Sequence, residues 1–346
     1  MSRQEHPHSR VEQHPHMILL QDDAFGKWLD WPSLVDALRR GHEAGVDAVE
    51  RLLLSEVERG AEPQNHLLIW PAWRYGAYCG AKLVTVFPGN SGRAGAATNA
   101  TVYVLFDGRD GRPLAVIEGA EFTLRKTAAD SALAATYLAR KDADRLLMIG
   151  AGAQAPAQIR AFCAVCPGIR EVKIWNRSFA KARALAAALA RDGIRPDAAG
   201  GEAHLSIEAT DDLEGAVPQA AIISMATAAT SPLLEGVLLS PGTHVDLVGS
   251  FTPEMREADD ATLRRGSLFV DSRRFTVAAT GDLAIPIASG VIRAEDIRAD
   301  LFELAGGRHP GRTSDTEITV LKNGGGGHLD LMVAIALYER ALPEAG

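Results

Sequence analysis

The sequence is poor in cysteine: Cys79, Cys163 and Cys166 are the only three in 346 residues. Three thiols cannot build a disulfide framework, so the chain must bury its own apolar core, and a reducing cytoplasm is the expected compartment. Basic charge is also in short supply. The 36 Lys and Arg stand against 44 Asp and Glu, a formal net charge of −8. Binding nucleic acid by phosphate neutralisation needs the opposite balance, so no nucleic-acid partner is expected. Long apolar runs are missing too. The longest stretch without charge, residues 215–234, is broken by Pro218 and Pro232, whereas a membrane helix needs about 20 mainly apolar residues in one piece. The first seventeen residues, MSRQEHPHSRVEQHPHM, lack the apolar segment of a signal peptide. Their His6, His8, His14 and His16 alternate with Pro and charge, which suits a disordered tail better than a metal site. No metal is expected elsewhere.

What is present is ordinary globular material, 47% hydrophobic and 23% charged, enough for about two domains at roughly 150 residues each. Residues 18 to 58 read as a leader and two amphipathic helices, with Leu and Val at helical spacing across residues 31–56. Four short apolar runs follow (66–73, 81–87, 100–106 and 113–119), separated by turn chemistry at Pro88-Gly89-Asn90-Ser91-Gly92 and Asp107-Gly108. They predict antiparallel strands. Residues 127–140, rich in Ala, read as a helix leaving that sheet. From Arg145 strands alternate with helices. The strands fall at 145–150, 171–176, 204–208, 220–225, 243–249 and 267–272, with helices at 153–166 and 179–193. This rhythm predicts a parallel, doubly wound α/β sheet. Residues 317–323 read as a further strand and 328–342 as a closing helix.

The sharpest local signal is Gly150-Ala151-Gly152-Ala153-Gln154-Ala155, a G-x-G-x-x-A between an apolar strand and a helix. Gly150 permits the tight turn, Gly152 admits a pyrophosphate, and Ala155 keeps the helix close to the sheet. The turn at Ala153 and Gln154 presents unpaired N–H groups to phosphate. The next strand ends in Asn176, 24 residues beyond Gly152, where NAD sites place an acid for the ribose. Here Asn176 is neutral and is followed by Arg177, Ser178 and Lys181, groups that suit a 2′-phosphate. NADPH is the expected cofactor, with NADH weaker.

Taken with Lys82-Leu83-Val84, Thr123–Ala129, Ser131–Ala135, Val248-Gly249, Phe269-Val270-Asp271 and Ser289-Gly290, these residues make the chain resemble the ornithine cyclodeaminase/mu-crystallin family from about residue 20 to 342. The resemblance implies a homodimer of two-domain subunits. A substrate and dimerisation domain would comprise residues 18–135 with 316–346, and a Rossmann NADP-binding domain residues 136–315. It also implies that Lys82 and Lys126 hold a substrate carboxylate, as an anion clamp with few acids nearby. Thr98 and Asn99 fall near substrate and nicotinamide. Lys126, Thr127, Thr227 and Val248 fall at cofactor contacts. Asn65 stands where the family carries a carboxylate-binding Arg, and Lys126 replaces a second Arg, with Arg125 beside it.

A third departure bears on the reaction. Cyclodeaminases place a carboxylate in the loop after the Val248-Gly249 strand, and here that position is Phe251, which cannot accept a proton. Three readings follow. The first is NADPH-dependent reduction of a cyclic ketimine carboxylate, with Lys82 and Lys126 as the catalytic clamp and Phe251 packed on the ring. The second is another reaction of the family, cyclodeamination or amino-acid dehydrogenation. The third is a non-catalytic NADPH-dependent binding protein. Outside that site, Cys163 and Cys166 read as core, and His66, His244 and His328 as structural. Gly324–Gly327 reads either as a flexible turn or as a close backbone approach.

Overall fold

The computed structural model describes residues 17–48, 51–56, 65–91, 93, 96–194 and 205–342. Apart from Met17, the expected tail with its four histidines lies outside the described residues. The first of two sheets contains β1 (Ile18–Leu20), β2 (Asp47–Ala48), β3 (Leu52–Ser55), β4 (His66–Arg74), β5 (Tyr78–Val86), β6 (Asn99–Asp107) and β7 (Pro113–Glu118). Their order is β1-β7-β6-β5-β4-β2, with β3 also on β4. β4 to β7 are the four apolar runs, paired antiparallel. Pro71 falls between the part of β4 paired with β3 and the part paired with β2, where a missing N–H is tolerated.

The second sheet contains β8 (Arg145–Ile149), β9 (Glu171–Trp175), β10 (Ser206–Thr210), β11 (Ile222–Met225), β12 (His244–Leu247), β13 (Ser267–Val270), β14 (Ile297–Asp300) and β15 (Thr319–Lys322). It runs β10-β9-β8-β11-β12-β15-β13-β14, every pair parallel. Five helices among the described residues are long: α1 (Trp31–Ala44), α2 (Ala120–Leu138), α3 (Gln154–Val165), α4 (Phe179–Asp192) and α5 (Gly327–Ala341). Side chains of β8 alternate between two cores. Leu146 and Met148 join Phe162 of α3 and Leu189 of α4, while Leu147 and Ile149 join Ile223 and Val245 on the other face. Both faces are therefore covered, as an all-parallel sheet requires. A third core packs α1, α2 and α5 on the first sheet and reaches Phe269 and Leu321 of the second.

Several expectations are corrected. The helical spacing across residues 31–56 ends at Ala44, because Gly45 turns the chain with φ +77°, and Leu52–Ser55 pairs with β4 as a strand. The helix expected over 127–140 begins at Ala120, so Lys126 lies in its second turn. The strand at Thr319–Lys322, grouped with the first sheet on the expected division at 315/316, inserts between β12 and β13 of the second, while α5 packs on β4, β5 and β6. Polar residues disguise β14, since only Ile297 and Ala299 turn inward. Cys163 and Cys166 are free, and burial pushes their thiols up to about 12 and about 11, which suits packing and not redox chemistry.

Candidate active site

The strand order runs outward from β8 through β9 to β10, then resumes on the other side of β8 with β11. That reversal is the switch point at which doubly wound sheets bind ligands, beyond the carboxyl ends of their strands. The glycine turn sits there. Gly150 has φ +113°, and a Cβ on it would lie 2.5 Å from the Ala226 carbonyl, so no larger residue fits. A Cβ on Gly152 would meet no atom within 4 Å. The open space beside Gly152, next to the first turn of α3, is a cradle that a phosphate fits. Ala153 leads into α3. Gln154 donates to the Leu124 carbonyl at 2.9 Å, which ties its side chain to α2 and leaves the backbone to face a ligand.

At the end of β9, Asn176 Oδ1 accepts from the Ala151 N–H at 3.2 Å, and its Nδ2 donates to the Ser178 carbonyl at 3.1 Å. The side chain thus closes the turn. Arg177, Ser178 and Lys181 stand exposed around the N-terminus of α4. Thr227 and Val248 follow β11 and β12 at the same edge of the sheet.

The two lysines meet an unexpected partner. Lys82, in the middle of β5, lies with Nζ 4.5 Å above the Trp70 ring of β4. Its Nζ is 3.0 Å from Asp330 Oδ2 and 3.3 Å from Oδ1. Lys126 Nζ pairs with Asp330 Oδ1 and donates to the Gly326 carbonyl at 3.4 Å. All three side chains are buried, so the expected pair of ammonium groups with few acids nearby is in fact an ammonium–carboxylate–ammonium group of net charge +1. Burial pushes the Lys82 ammonium down to about 8, against the pull of Asp330 and helped by Lys126. Asp330 is in the first turn of α5. The glycine run fixes the head of that helix, since the Gly324 and Gly325 N–H groups donate to Asp271 Oδ2 at 3.1 and 2.6 Å. A Cβ on Gly324 would lie 2.5 Å from Thr276 Oγ1. The run is a close-packed turn.

The other expected residues have the following places. Asn65 donates to Glu56 at 2.6 Å. Phe87 N–H donates to the Thr98 carbonyl, and exposed Asn99 starts β6. Asn99 is four residues from Tyr103, the cross-strand partner of Lys82, or about 13 Å along the strand. Thr127 Oγ1 donates to the Thr123 carbonyl at 3.1 Å, and its own carbonyl accepts from Asn323. The Arg125 guanidinium stands 4.4 Å over the Trp31 ring, so Lys126 is the α2 cation that meets Asp330. Phe251 is 62% exposed in the loop after β12. His66 bonds Ser55, His244 bonds Thr319, and His328 stacks on Phe275.

Two acids escaped the sequence. Asp330 is one, and its trace is a single charge inside an otherwise apolar helix, HLDLMVAIAL. Glu257 is the other, fully buried although it lies in the charged run EMREADD. Its Oε1 accepts from Thr227 N–H and Oγ1, both at 2.8 Å, and its Oε2 from the N–H groups of Gly249 at 2.6 Å and Ser250 at 3.4 Å.

A wholly parallel sheet with a glycine cradle at its switch point defines a dinucleotide-binding fold of the Rossmann class, here joined to a second sheet whose Lys82 shares buried Asp330 with Lys126. The chain belongs to the ornithine cyclodeaminase/mu-crystallin family, whose model matches residues 32–345. It is 44% identical over 317 residues to the Delta(1)-pyrroline-2-carboxylate reductase of Paracoccus denitrificans, covering 92% of this chain and 94% of that protein. To the Bacillus cereus protein of the same name it is 37% identical over 286 residues, covering 82% and 84%. Among solved structures it is similar to Thermococcus litoralis Delta(1)-pyrroline-2-carboxylate reductase in complex with NADH and L-proline, with TM-score 0.81, 29% identity and coverage of 94% and 97%. It is also similar to the iminosuccinate reductase of Paracoccus denitrificans in complex with NAD+, with TM-score 0.80, 26% identity and coverage of 94% and 96%.

Proposed function

We propose that the protein reduces a cyclic ketimine carboxylate, 1-pyrroline-2-carboxylate or 1-piperideine-2-carboxylate, to L-proline or L-pipecolate, with NADPH preferred over NADH. The observation that carries this reading is that the two buried acids described above are already committed. Asp330 holds two ammonium groups, Glu257 accepts four hydrogen bonds, and the loop position that serves cyclodeaminases is Phe251. Neither acid is left to take a proton from a substrate amine. The names of the Paracoccus and Bacillus relatives agree with net reduction.

The glycine turn and the end of β9 would hold the dinucleotide, whose nicotinamide would supply hydride for reduction of the imine. Lys82 and Lys126 hold the substrate carboxylate through ammonium donors that Asp330 leaves over, since each ammonium has three. Asp330 assembles both cations before substrate arrives, so the clamp is ordered in advance. Its net charge of +1 matches one carboxylate. Phe251, exposed at the rim, closes over the apolar methylenes of the ring. A substrate that enters as the iminium needs no separate acid. Arg177 with the α4 N-terminus favours a 2′-phosphate.

The chain is read as two bodies, the first sheet with α5 and the parallel sheet with its helices, working as a cytoplasmic homodimer. Support for the dimer comes from Leu52, Leu53 and Leu54, each more than half exposed on β3, and from a similar archaeal alanine dehydrogenase described as a dimer, with TM-score 0.80 and 26% identity. Steady-state kinetics with both ketimines and both cofactors test the reaction. Ketimine-dependent oxidation of NADPH with formation of the cyclic amino acid is expected. Its absence, together with ammonia and proline from ornithine, overturns the proposal.

A further inference from the structure

We infer that Glu257 is a positioning residue that sets the nicotinamide end of the cofactor cleft, by holding the loop after β11 and the loop after β12 in fixed register. The inference rests on the dinucleotide site described above and does not depend on the substrate. Adjacent parallel strands deliver the two loops side by side beyond their carboxyl ends, which is where a doubly wound sheet receives the half of a dinucleotide farther from the glycine turn. Thr227 lies on the glycine side of this pair. The Cβ that Gly150 lacks would lie 3.3 Å from Thr227 Cγ2. Gly249 lies on the far side, and a Cβ there would come within 2.1 Å of the Thr227 carbonyl and 2.6 Å of Glu257 Oε1. The loops therefore touch through bare backbone, and one carboxylate ties them: Oε1 to Thr227, Oε2 to Gly249 and Ser250.

The main chain that carries this carboxylate is itself anchored. The Glu257 N–H donates to Asp282 Oδ1 at 2.7 Å, and Asp282 Oδ2 lies 3.4 Å from Lys322 Nζ. Lys322 in turn donates to the carbonyl of Leu247 at 3.0 Å, the last residue of β12. A closed circuit thus runs from the end of β12 through Glu257, Asp282 and Lys322 back to the end of β12. Glu257, Asp282, Lys322 and Ser250 are buried and Thr227 and Gly249 half-buried, so water is a poor substitute for a lost bond to the carboxylate. An amide at position 257 presents N–H₂ to one of the two loops and repels its donors, which separates loops that the carboxylate unites.

The test compares whole cofactor with fragments that lack nicotinamide. Calorimetric titration of wild type and Glu257→Gln uses NADPH against 2′,5′-ADP, and NADH against ADP-ribose as the unphosphorylated pair. NADPH binding is expected to weaken at least tenfold while 2′,5′-ADP binding stays within twofold, because the fragment contacts only the glycine turn and the end of β9. Equal loss for cofactor and fragment overturns the inference, since it reports general damage, and so does unchanged NADPH binding. Should Glu257→Gln fail to fold, Thr227→Val removes one of the four bonds and is expected to show the same selectivity at about threefold. No ketimine enters these titrations, so failure of the proposed reaction leaves their outcome readable.

Discussion

Replacing Asp330 by Asn should move the pH dependence of turnover, and the size of the move follows from the clamp. Lys82 must be charged to hold a carboxylate, so activity is lost as pH rises through its pKa. Burial has brought that pKa to about 8 with Asp330 in place, which leaves about nine-tenths of the enzyme charged at pH 7 by the ordinary titration relation. Asp330, 3.0 Å away, is the charge that opposes the burial penalty, while Lys126 adds to it. An opposite charge at such range is worth roughly 1–3 pKa units. Its removal places Lys82 at roughly 5–7, so that at pH 7 the charged fraction falls by about twofold at the upper end of that range and about ninetyfold at the lower, and kcat/KM for the ketimine falls with it.

The assay is kcat/KM for the ketimine from pH 5.5 to 9.5 at saturating NADPH, with thermal unfolding run alongside as the check on folding. Titration of the substrate's own nitrogen contributes a limb common to all variants, so the difference between variants is the reading. Lys82→Arg supplies the converse. Its guanidinium stays charged throughout, and the limb near pH 8 should vanish even though the rate falls. A loss of kcat/KM in Asp330→Asn by one constant factor at every pH refutes the reasoning, because it would make Asp330 a support for the fold with no influence on the charge of Lys82.

Three further outcomes are expected. Arg177→Ala should raise the KM for NADPH roughly ten- to hundredfold, the worth of a charge-assisted hydrogen bond, and leave that for NADH nearly unchanged; equal rises refute the phosphate role. Leu53→Glu should yield a folded monomer by sedimentation, since it places a charge amid the exposed leucines of β3; a persistent dimer places the interface elsewhere. His42, held down at about 4 by burial, takes a proton in the unfolded chain before it does so folded, so its share of stability is lost as pH falls from about 6.5 to about 4. Asp246 and Asp271, raised by burial to about 7 and about 6, act in the opposite sense. The reading is therefore the difference between wild type and His42→Leu in urea unfolding at pH 7 and 4.5. His42→Leu should lose less stability on acidification by roughly 2 kcal/mol, and identical losses refute the assignment.

The parallel sheet was legible in the sequence wherever strand, turn and helix followed one another locally, as from Arg145 to Asp192. Legibility failed where a partner distant in the chain decided the outcome. Leu52–Leu54 suit a helix by spacing, and only β4 makes them a strand. The early start of α2 is an exception, since residues 120–126 are mostly good helix formers (Ala120, Glu121, Leu124, Arg125 and Lys126), and their preference alone carries the helix back from the Ala-rich stretch to Ala120. β15 precedes α5 by four residues but pairs with strands that begin 75 and 52 positions earlier. The site divides along the same line. Glycine marks the places where backbone must be bare, and Gly150 and Gly152 could be found because that demand is met at one position. Asp330 and Glu257 answer to groups on other elements, Asp330 to a lysine 248 residues away and Glu257 to backbone N–H groups that any residue type would supply. An acid bound by foreign backbone leaves no spacing in its own neighbourhood. For that reason the cradle was visible in the sequence, and the two carboxylates that hold the clamp and the cofactor loops in place were not.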